Sequence, residues 1–217
     1  MASHEFRTPL SAILTSAILI YNQKELGKEE TLGKYVLQIE NNVNHLTTIL
    51  NDFLSLSKLE EGKIVAIKEH FDIVHLFRNL INENKLNLKK GQKIHFYELV
   101  ETLIVNLDAK LLRHIITNLL SNASKYSEEN THIDFVISQD NDRILIQITD
   151  QGIGIAMAEQ KHLFERFFRA KNANNIEGTG LGLNIAKHYT ELMGGSIGCK
   201  SELNMGSTFW VELPIEV

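Results

Sequence analysis

The chain has 217 residues, of which 43% are hydrophobic and 23% charged, a composition typical of a folded soluble protein. Its 22 basic residues are outnumbered by 27 acidic ones, and the net charge of −5 argues against a general nucleic-acid-binding protein. The single cysteine, Cys199, excludes an internal disulfide framework and a cysteine-rich zinc site. No apolar run reaches the roughly 18 residues that a membrane helix needs, and no signal peptide is evident. We therefore expect a cytoplasmic chain without membrane contact of its own.

Residues 1–62 are predicted to form a hairpin of two helices. Apolar residues recur at helical spacing from Leu10 to Tyr21, and the polar stretch 23–30, which contains Gly27, predicts a turn. The second helix has a heptad pattern with steps of four and three: Leu32, Val36, Ile39, Val43, Leu46, Leu50 and Phe53. Since a lone hairpin cannot cover both stripes, we expect two copies to pair into a four-helix bundle. The same heptads would also suit a packing face within one chain.

The rest of the chain is predicted to mix helices and strands, with a linker over 63–70 and a second domain over 71–217. The predicted helices are Phe71–Leu88, Lys110–Tyr126, Ala158–Phe168 and Leu181–Met193. The predicted strands are Lys93–Leu99, Thr102–Asn106, His132–Ser138, Arg143–Thr149, Ser196–Lys200 and Ser207–Leu213. Because this order lacks a regular βαβ alternation, it favours an α+β two-layer sandwich with helices on one face of a mixed sheet.

One helix carries a polar stripe that suits a magnesium–triphosphate. On the predicted helix Lys110–Tyr126, the residues His114, Asn118, Asn122 and Lys125 follow one another at steps of four, four and three. Amide oxygens are suitable ligands for Mg²⁺, and an ammonium group can contact phosphate oxygens. A solvated face of a surface helix would show the same pattern.

Two glycine-rich segments point to the same chemistry. Asp150 ends a predicted strand just before Gly152 and Gly154, and its carboxylate can accept a hydrogen bond from an exocyclic amine such as that of adenine. Residues 178–183 (GTGLGL) open a helix, whose N-terminus favours phosphate. The polar stretch 169–177 between them is a candidate lid. Each glycine run alone fits a simple tight turn equally well, and neither matches a P-loop or a dinucleotide fingerprint.

Taken together and in order, these segments resemble the sensor histidine kinases of two-component signalling. Residues 3–10 (SHEFRTPL) resemble the phosphoacceptor box and 118–126 (NLLSNASKY) the asparagine box. Residues 150–154 and 178–183 resemble the two glycine boxes, and 163–169 (LFERFFR) resemble the phenylalanine box. The fold implied is an all-α helical hairpin, which forms a four-helix bundle as a dimer, followed by an α+β sandwich of the histidine kinase ATPase type.

The resemblance implies catalytic roles near the amino end. His4 would be the phosphorylated residue, Glu5 the general base, and Thr8 the residue that orients a water for dephosphorylation of the partner. Neutral imidazole, with a pKa of about 6.5, is a competent nucleophile at cellular pH. The other histidines are expected to have no comparable role, because none shows a metal-ligand spacing with a cysteine or a second histidine.

The resemblance also implies ATP as the substrate and Mg²⁺ as its cofactor. Asn122 would be the principal Mg²⁺ ligand, supported by Asn118, and Asp150 would contact adenine. The other residues with a stated role are Lys125 and Arg169 at the phosphates, Tyr126 against the nucleotide, and Thr208 in the base pocket. The remaining contacts are expected from Gly152, Gly154, Ile155, Phe164, Gly178, Thr179, Gly180, Leu181, Gly182 and Leu183.

The activity implied is autophosphorylation of His4 by a homodimer, followed by transfer to an aspartate in the receiver domain of a response regulator. Because the family carries more of the first helix and a sensor before the phosphoacceptor box, the chain is expected to be the core of a longer, membrane-anchored or soluble protein. The shortened helix leaves open a nucleotide-binding docking module with little kinase activity. Thr8 leaves open a protein that acts mainly as a phosphatase of its regulator.

Overall fold

The computed structural model describes residues 2–24, 29–98, 100–140, 142–173, 176 and 178–215; the side chains of 2–5, 22–24 and 29–31 lie outside this description. The chain divides into two compact units, Met1–Glu61 and Gly62–Val217. Among the described helices, none combines the length and the apolar character that crossing a membrane requires.

The first unit is a helical hairpin. Helix α1 (Ala2–Lys24) packs against helix α2 (Glu29–Glu60), and Ile49 and Leu56 of α2 are buried. The turn predicted around Gly27 lies outside the described residues. The predicted heptad pattern serves this packing only in part, because Leu32, Ile39 and Leu46 are half-buried whereas Val36, Val43, Leu50 and Phe53 are exposed.

An apolar stripe of the hairpin therefore remains on its surface. We call it the exposed stripe, and its members are Leu10, Leu14 and Ile18 of α1 and Val36, Val43 and Leu50 of α2. The three α2 residues recur every seven positions, which is the spacing of a coiled-coil seam. Each of the six residues exposes close to half of its surface or more. The packing of α1 on α2 therefore leaves this stripe largely uncovered.

The second unit combines four helices with seven strands in its described part. In chain order these are β1 (Glu69–Asp72), α3 (Ile73–Asn84), β2 (Lys93–Tyr97), β3 (Ile104–Leu107), α4 (Ala109–Tyr126), β4 (His132–Asp140), β5 (Arg143–Asp150), α5 (Met157–Gln160), α6 (Gly182–Leu192), β6 (Ser196–Glu202) and β7 (Gly206–Pro214). Strands β1 and β3 form a small antiparallel sheet, and the other five form a mixed sheet in the order β2-β4-β5-β7-β6. The β2–β4 pair is parallel and the other pairs are antiparallel.

The core lies between the helices and one face of the mixed sheet, which confirms the predicted two-layer sandwich. Alternate residues of β5, namely Ile144, Ile146 and Ile148, are buried on this inner face. Phe77 of α3 packs on Phe135 of β4 with ring centroids 5.0 Å apart. Burial of these side chains supplies the hydrophobic stabilisation of the unit.

The helix predicted at the start of this unit is wrong in extent. The helix predicted from Phe71 begins at Ile73, because the carboxylate of Asp72 accepts the N–H of Val74 and caps it, and Phe71 belongs to β1. The segment predicted as a linker also has structure, since the N–H of Ile67 donates to the carboxylate of Asp108 at 2.8 Å.

The helix predicted over Ala158–Phe168 is wrong as well. Only Met157–Gln160 is helical, and a series of turns follows. Phe167 adopts φ 60°, in the left-handed region, and its N–H donates to the carbonyl of Gly180 at 3.0 Å. The tertiary contact with the second glycine segment replaces the helical hydrogen bonds that the local sequence favours.

Candidate nucleotide-binding site

The polar stripe of α4 forms one wall of the candidate site. Helix α4 buries its apolar face in the core and leaves Asn118 and Asn122 half-buried on the other side. The Nδ2 of Asn122 donates to the Oδ1 of Asn118 at 3.1 Å. This bond uses one of the two amide hydrogens of Asn122 and leaves its Oδ1, a hard oxygen ligand, available for a cation.

The loop 178–183 lies directly against this wall. A β-carbon at Gly182 would collide with Nδ2 of Asn118, and one at Gly178 would lie 2.6 Å from the Nζ of Lys125. That Nζ is 5.0 Å from the ring centroid of Tyr126. Glycine at position 182 lets the loop approach the Asn118 amide this closely, whereas the flexible end of Lys125 could move to admit a side chain at position 178. The fold thus joins the asparagine box to the second glycine box.

The remaining predicted residues of this loop shape its backbone. Gly180 has φ +67°, which favours glycine. The N–H of Leu181 donates to Oγ1 of Thr179 at 3.1 Å, and α6 begins at Gly182. Leu181 is buried, whereas Leu183 is half-buried. These contacts hold the start of α6 beside the α4 wall.

Asp150 is the buried acid of the site. It lies at the end of β5 on the inner face, 5% exposed, and its carboxylate accepts the backbone N–H groups of Gly152, at 2.8 Å, and of Ser207. Burial raises the pKa of Asp150 to about 6, although the two hydrogen bonds act to lower it. Burial, together with the negative charge of Asp150, raises the pKa of the Cys199 thiol to about 12.

The first glycine segment is tightly enclosed by backbone. A β-carbon at Gly152 would lie 2.5 Å from the carbonyl oxygen of Tyr126. Gly154 has φ +62°, and a β-carbon there would collide with the carbonyl oxygen of Glu202. The N–H of Ile153 donates to the same Tyr126 oxygen at 3.2 Å, which ties this segment to the end of α4.

Ile155 is held at the far end of this segment. Its N–H donates to Oγ of Ser201 at 2.8 Å, and its carbonyl accepts from Nε2 of Gln160 at 3.0 Å. The same Gln160 amide donates to the carbonyl of Ser201 at 2.7 Å. The half-buried Ile155 side chain is therefore positioned by β6 and α5.

The assignment of Thr208 to the base pocket stays a prediction, and the strand pairing places this residue on the outer face of the sheet. In the β5–β7 pairing Thr208 lies opposite Thr149, and their hydroxyl oxygens are 3.0 Å apart on the outer face of the sheet. Ser207 instead lies opposite Asp150 on the inner face and is buried. A shift of one residue along a strand changes the face, and the sequence did not define that register. Ser207 is the residue that contacts the buried acid.

The segment 163–169 is attached to α6 and to its own turn. The carbonyl of the half-buried Phe164 accepts from Nδ2 of Asn184 at 2.7 Å. The Nη2 of Arg169 donates to the carbonyl of Ala173 at 2.9 Å and to that of Ile176. In this conformation the Arg169 guanidinium is hydrogen-bonded within the predicted lid and stabilises its turn. Positions 174, 175 and 177 of that lid lie outside the described residues.

Two residues that the sequence analysis missed position the end of α4. The buried Gln92 donates through Nε2 to the carbonyl of Ser124 at 3.0 Å and accepts from Oγ of Ser124 at 2.7 Å. The Nζ of Lys89 donates to the carbonyls of Lys125 and Ser127 at 2.8 and 2.6 Å. These bonds satisfy carbonyls at the helix end and orient Lys125. Polar residues in a loop carry no local signal of such a role.

The predicted phosphoacceptor region lies on α1. The backbone of His4 and Glu5 is helical, but their side chains lie outside the described residues. Thr8 is exposed on the same helix.

The fold and the site together define an ATP-binding domain. Residues 107–217 match the family described as histidine kinase-, DNA gyrase B-, and HSP90-like ATPase. Residues 1–62 match the His Kinase A (phospho-acceptor) domain. With both domains in this order, the chain belongs to the sensor histidine kinases and forms the catalytic core of that family.

Curated relatives show the same relationship over almost the whole chain. The circadian input-output histidine kinase CikA of Synechococcus elongatus is 33% identical over 217 residues, covering 98% of this chain and 29% of that protein. The sensor protein GacS of Pseudomonas syringae is 34% identical over 225 residues, covering 98% of this chain and 24% of that protein. The chain therefore spans less than a third of the length of these relatives.

Solved structures share the fold. Full-length ShkA in complex with AMPPNP superposes with a TM-score of 0.74 at 30% identity, covering 99% of this chain and 45% of that one. The histidine kinase ThkA in complex with the response regulator protein TrrA gives 0.73 at 24% identity, covering 99% of this chain and 60% of that one. The second likeness is evidence of the shared fold alone.

Proposed function

We propose that the chain binds Mg-ATP between α4 and the loop 178–183, phosphorylates His4, and passes the phosphoryl group to an aspartate of a response regulator. The observation that carries this proposal is the convergence of Asn118, Lys125 and the glycine loop 178–183, in a unit whose strand β5 ends at the buried Asp150. The AMPPNP complex of ShkA supports ATP as the nucleotide, and the match of residues 1–62 to the phospho-acceptor domain supports a response regulator as the partner.

The residues at the α4 wall fit a magnesium–triphosphate. The Oδ1 of Asn122 would hold the cation, and Asn118 orients that amide through the 3.1 Å hydrogen bond. Lys125, whose Nζ lies against the backbone of Gly178, would contact phosphate oxygens. When bound, Mg²⁺ neutralises the triphosphate charge. The chain itself contributes position and charge, which account for much of phosphoryl-transfer catalysis.

Asp150 would select adenine. A carboxylate offers only acceptors, so it favours the exocyclic amine of adenine over the carbonyl that guanine presents at the same ring position. Because Asp150 is buried, the adenine amine would replace water as the hydrogen-bond partner of its carboxylate. A base without that amine would leave the buried carboxylate without this partner, which would weaken its binding.

Transfer to His4 is tested by radiolabelling with γ-labelled ATP. We expect the wild-type chain to incorporate acid-labile, base-stable phosphate and His4→Gln to incorporate none, because glutamine lacks a nucleophilic ring nitrogen. His70→Gln is the matched control, since His70 is an exposed histidine on β1. Labelling of His4→Gln at the wild-type rate would refute the assignment of His4. Tight ATP binding by wild type without any labelling would favour the docking-module alternative.

We also propose a homodimer formed through the exposed stripe of the hairpin. Burying six half-exposed aliphatic side chains against a second copy would supply the driving force for association. Val43→Glu is expected to raise the dimer dissociation constant at least about tenfold, since it places a charge in the middle of this stripe. Light scattering after size exclusion measures the mass. Asn41→Glu, at an exposed polar position of α2, is the control; equal dimerisation of both variants would contradict the interface.

A regulator phosphatase role stays a prediction that the resemblance implies at Thr8. The relative LuxQ of Vibrio vulnificus, 34% identical over 223 residues, is named a sensor kinase/phosphatase. The exposure of Thr8 on α1 is compatible with contact to a partner.

A further inference from the structure

Three potential metal ligands meet on the outer face of the mixed sheet, away from the helices. His132 and Asp134 of β4 are two residues apart and therefore point to the same face. The parallel pairing of β2 with β4 places His95 opposite Asp134. We call these three residues the outer-face cluster. No sequence spacing predicted this cluster, because its members come together only through the pairing of β2 with β4.

The distances within the outer-face cluster suit one tetrahedral ion. The Nδ1 of His95 lies 3.4 Å from Oδ1 of Asp134, and the Nε2 of His132 lies 3.7 Å from Oδ2 of the same carboxylate. All three ligand atoms lie within 4.8 Å of one another. Ligands bound to zinc at about 2.0–2.1 Å in tetrahedral geometry are roughly 3.4 Å apart. Small rotations of the two rings would bring the set to that spacing.

One oxygen of Asp134 lacks the hydrogen bond that its burial requires. Its Oδ1 is shielded from solvent yet accepts no hydrogen bond from the described residues. A buried acceptor without a partner is costly, and a carboxylate more so. The two imidazole rings stack with centroids 5.2 Å apart, and one nitrogen of each ring lies within 3.7 Å of this carboxylate. A bound cation would give Oδ1 of Asp134 a partner and would be coordinated by both imidazole rings.

We propose that the outer-face cluster binds a first-row divalent transition metal, with Zn²⁺ the representative ion. Two imidazole nitrogens and one carboxylate oxygen are the ligand types of zinc, whereas Mg²⁺ prefers oxygen ligands throughout. The side chains of His95, His132 and Asp134 are partly exposed, which leaves a fourth position for water or a ligand from outside.

Metal binding here would join two strands of the sheet. Among the described strands, β2 lies at the edge of the mixed sheet and pairs with β4. An ion held by His95 from β2 and by His132 and Asp134 from β4 would cross-link them. Because a ligand that binds only the folded state stabilises it, Zn²⁺ would raise the melting temperature of this unit.

Calorimetric titration of the full chain with ZnCl2 alone, after EDTA treatment and without nucleotide, tests the site. We expect one Zn²⁺ per chain and a Kd raised at least about tenfold by His95→Ala and by Asp134→Asn. His75→Ala, which removes an exposed histidine of α3, is expected to leave the Kd unchanged. Zn²⁺ should also raise the melting temperature of wild type and of His75→Ala but not of the two cluster variants.

The melting temperatures without metal show that each variant is folded before its affinity is compared. Asp134→Asn keeps the shape of the side chain and so separates loss of a ligand charge from loss of packing. Absence of Zn²⁺ binding by wild type would overturn the proposal. Binding with the same Kd in the cluster variants would also overturn it, because the ion would then occupy another site.

Discussion

Asp150→Asn is expected to weaken ATP binding by roughly 10- to 150-fold. This is the effect of losing one hydrogen bond to a buried charged group, since such a bond contributes about 1.5–3 kcal/mol. The amide of the variant has one acceptor oxygen, and the backbone N–H of Gly152 already claims it at 2.8 Å. The adenine amine would then face an NH₂ group. Isothermal titration with Mg-AMPPNP measures the loss. Asp142→Asn, at an exposed turn, is the control, and equal affinity of the two variants would contradict adenine recognition by Asp150.

The same variant should change how stability depends on pH. Burial raises the pKa of Asp150 from 3.8 to about 6, so between these pH values the folded chain keeps a proton that the unfolded chain has lost. The free energy of unfolding therefore falls as pH rises through this window. The decrease due to Asp150 amounts to up to roughly 3 kcal/mol and is complete above pH 6. Denaturant unfolding at pH 4.5 and 7.0 measures it. Asp150→Asn should lack this component, and parallel pH profiles of the two proteins would refute the raised pKa.

Gly182→Ala is expected to reduce autophosphorylation by roughly 100-fold, the scale of a misplaced catalytic group. The new β-carbon would collide with Nδ2 of Asn118 and lie 2.9 Å from its Cγ. Asn118 would have to move, and its hydrogen bond with Asn122 would break. Because position 182 begins α6, where alanine is a better helix former than glycine, the helix itself should not suffer. The defect would therefore arise at the α4 wall.

A second variant checks this explanation. Adding Asn118→Gly to Gly182→Ala removes the clash and should restore binding of the nucleotide base, though not the asparagine support of the cation. Gly33→Ala in α2 is the control for a glycine-to-alanine change, since nothing lies within 4 Å of a β-carbon there. Labelling rates with γ-labelled ATP compare the proteins. A Gly182→Ala chain that labels within twofold of wild type would contradict the proposed geometry.

Local periodicity was enough to predict much of the fold. Helix α4 was predicted almost to its observed ends because its buried residues repeat at helical spacing over five turns. Strands β4 and β5 were predicted from strict alternation, which the structure shows as buried and half-buried residues in turn. The family was identified from short contiguous motifs, since each motif keeps its residue types within a few positions.

Contacts between distant segments could not be predicted in this way. The helix predicted over Ala158–Phe168 failed because Phe167 bonds to Gly180 instead of to its own turn. That Ser207, and not the predicted Thr208, lies opposite Asp150 follows only from the register of the β5–β7 pairing.

The sequence alone therefore determined the class of elements, their order and the family, because these depend on side chains a few residues apart. Tertiary structure alone decided that Ser207 contacts Asp150, that Gly182 lies against Asn118 and that His95 joins Asp134. Each of these pairs is separated by tens of residues, and pairing register together with helix packing brings its members together. No pattern confined to one segment contains that information.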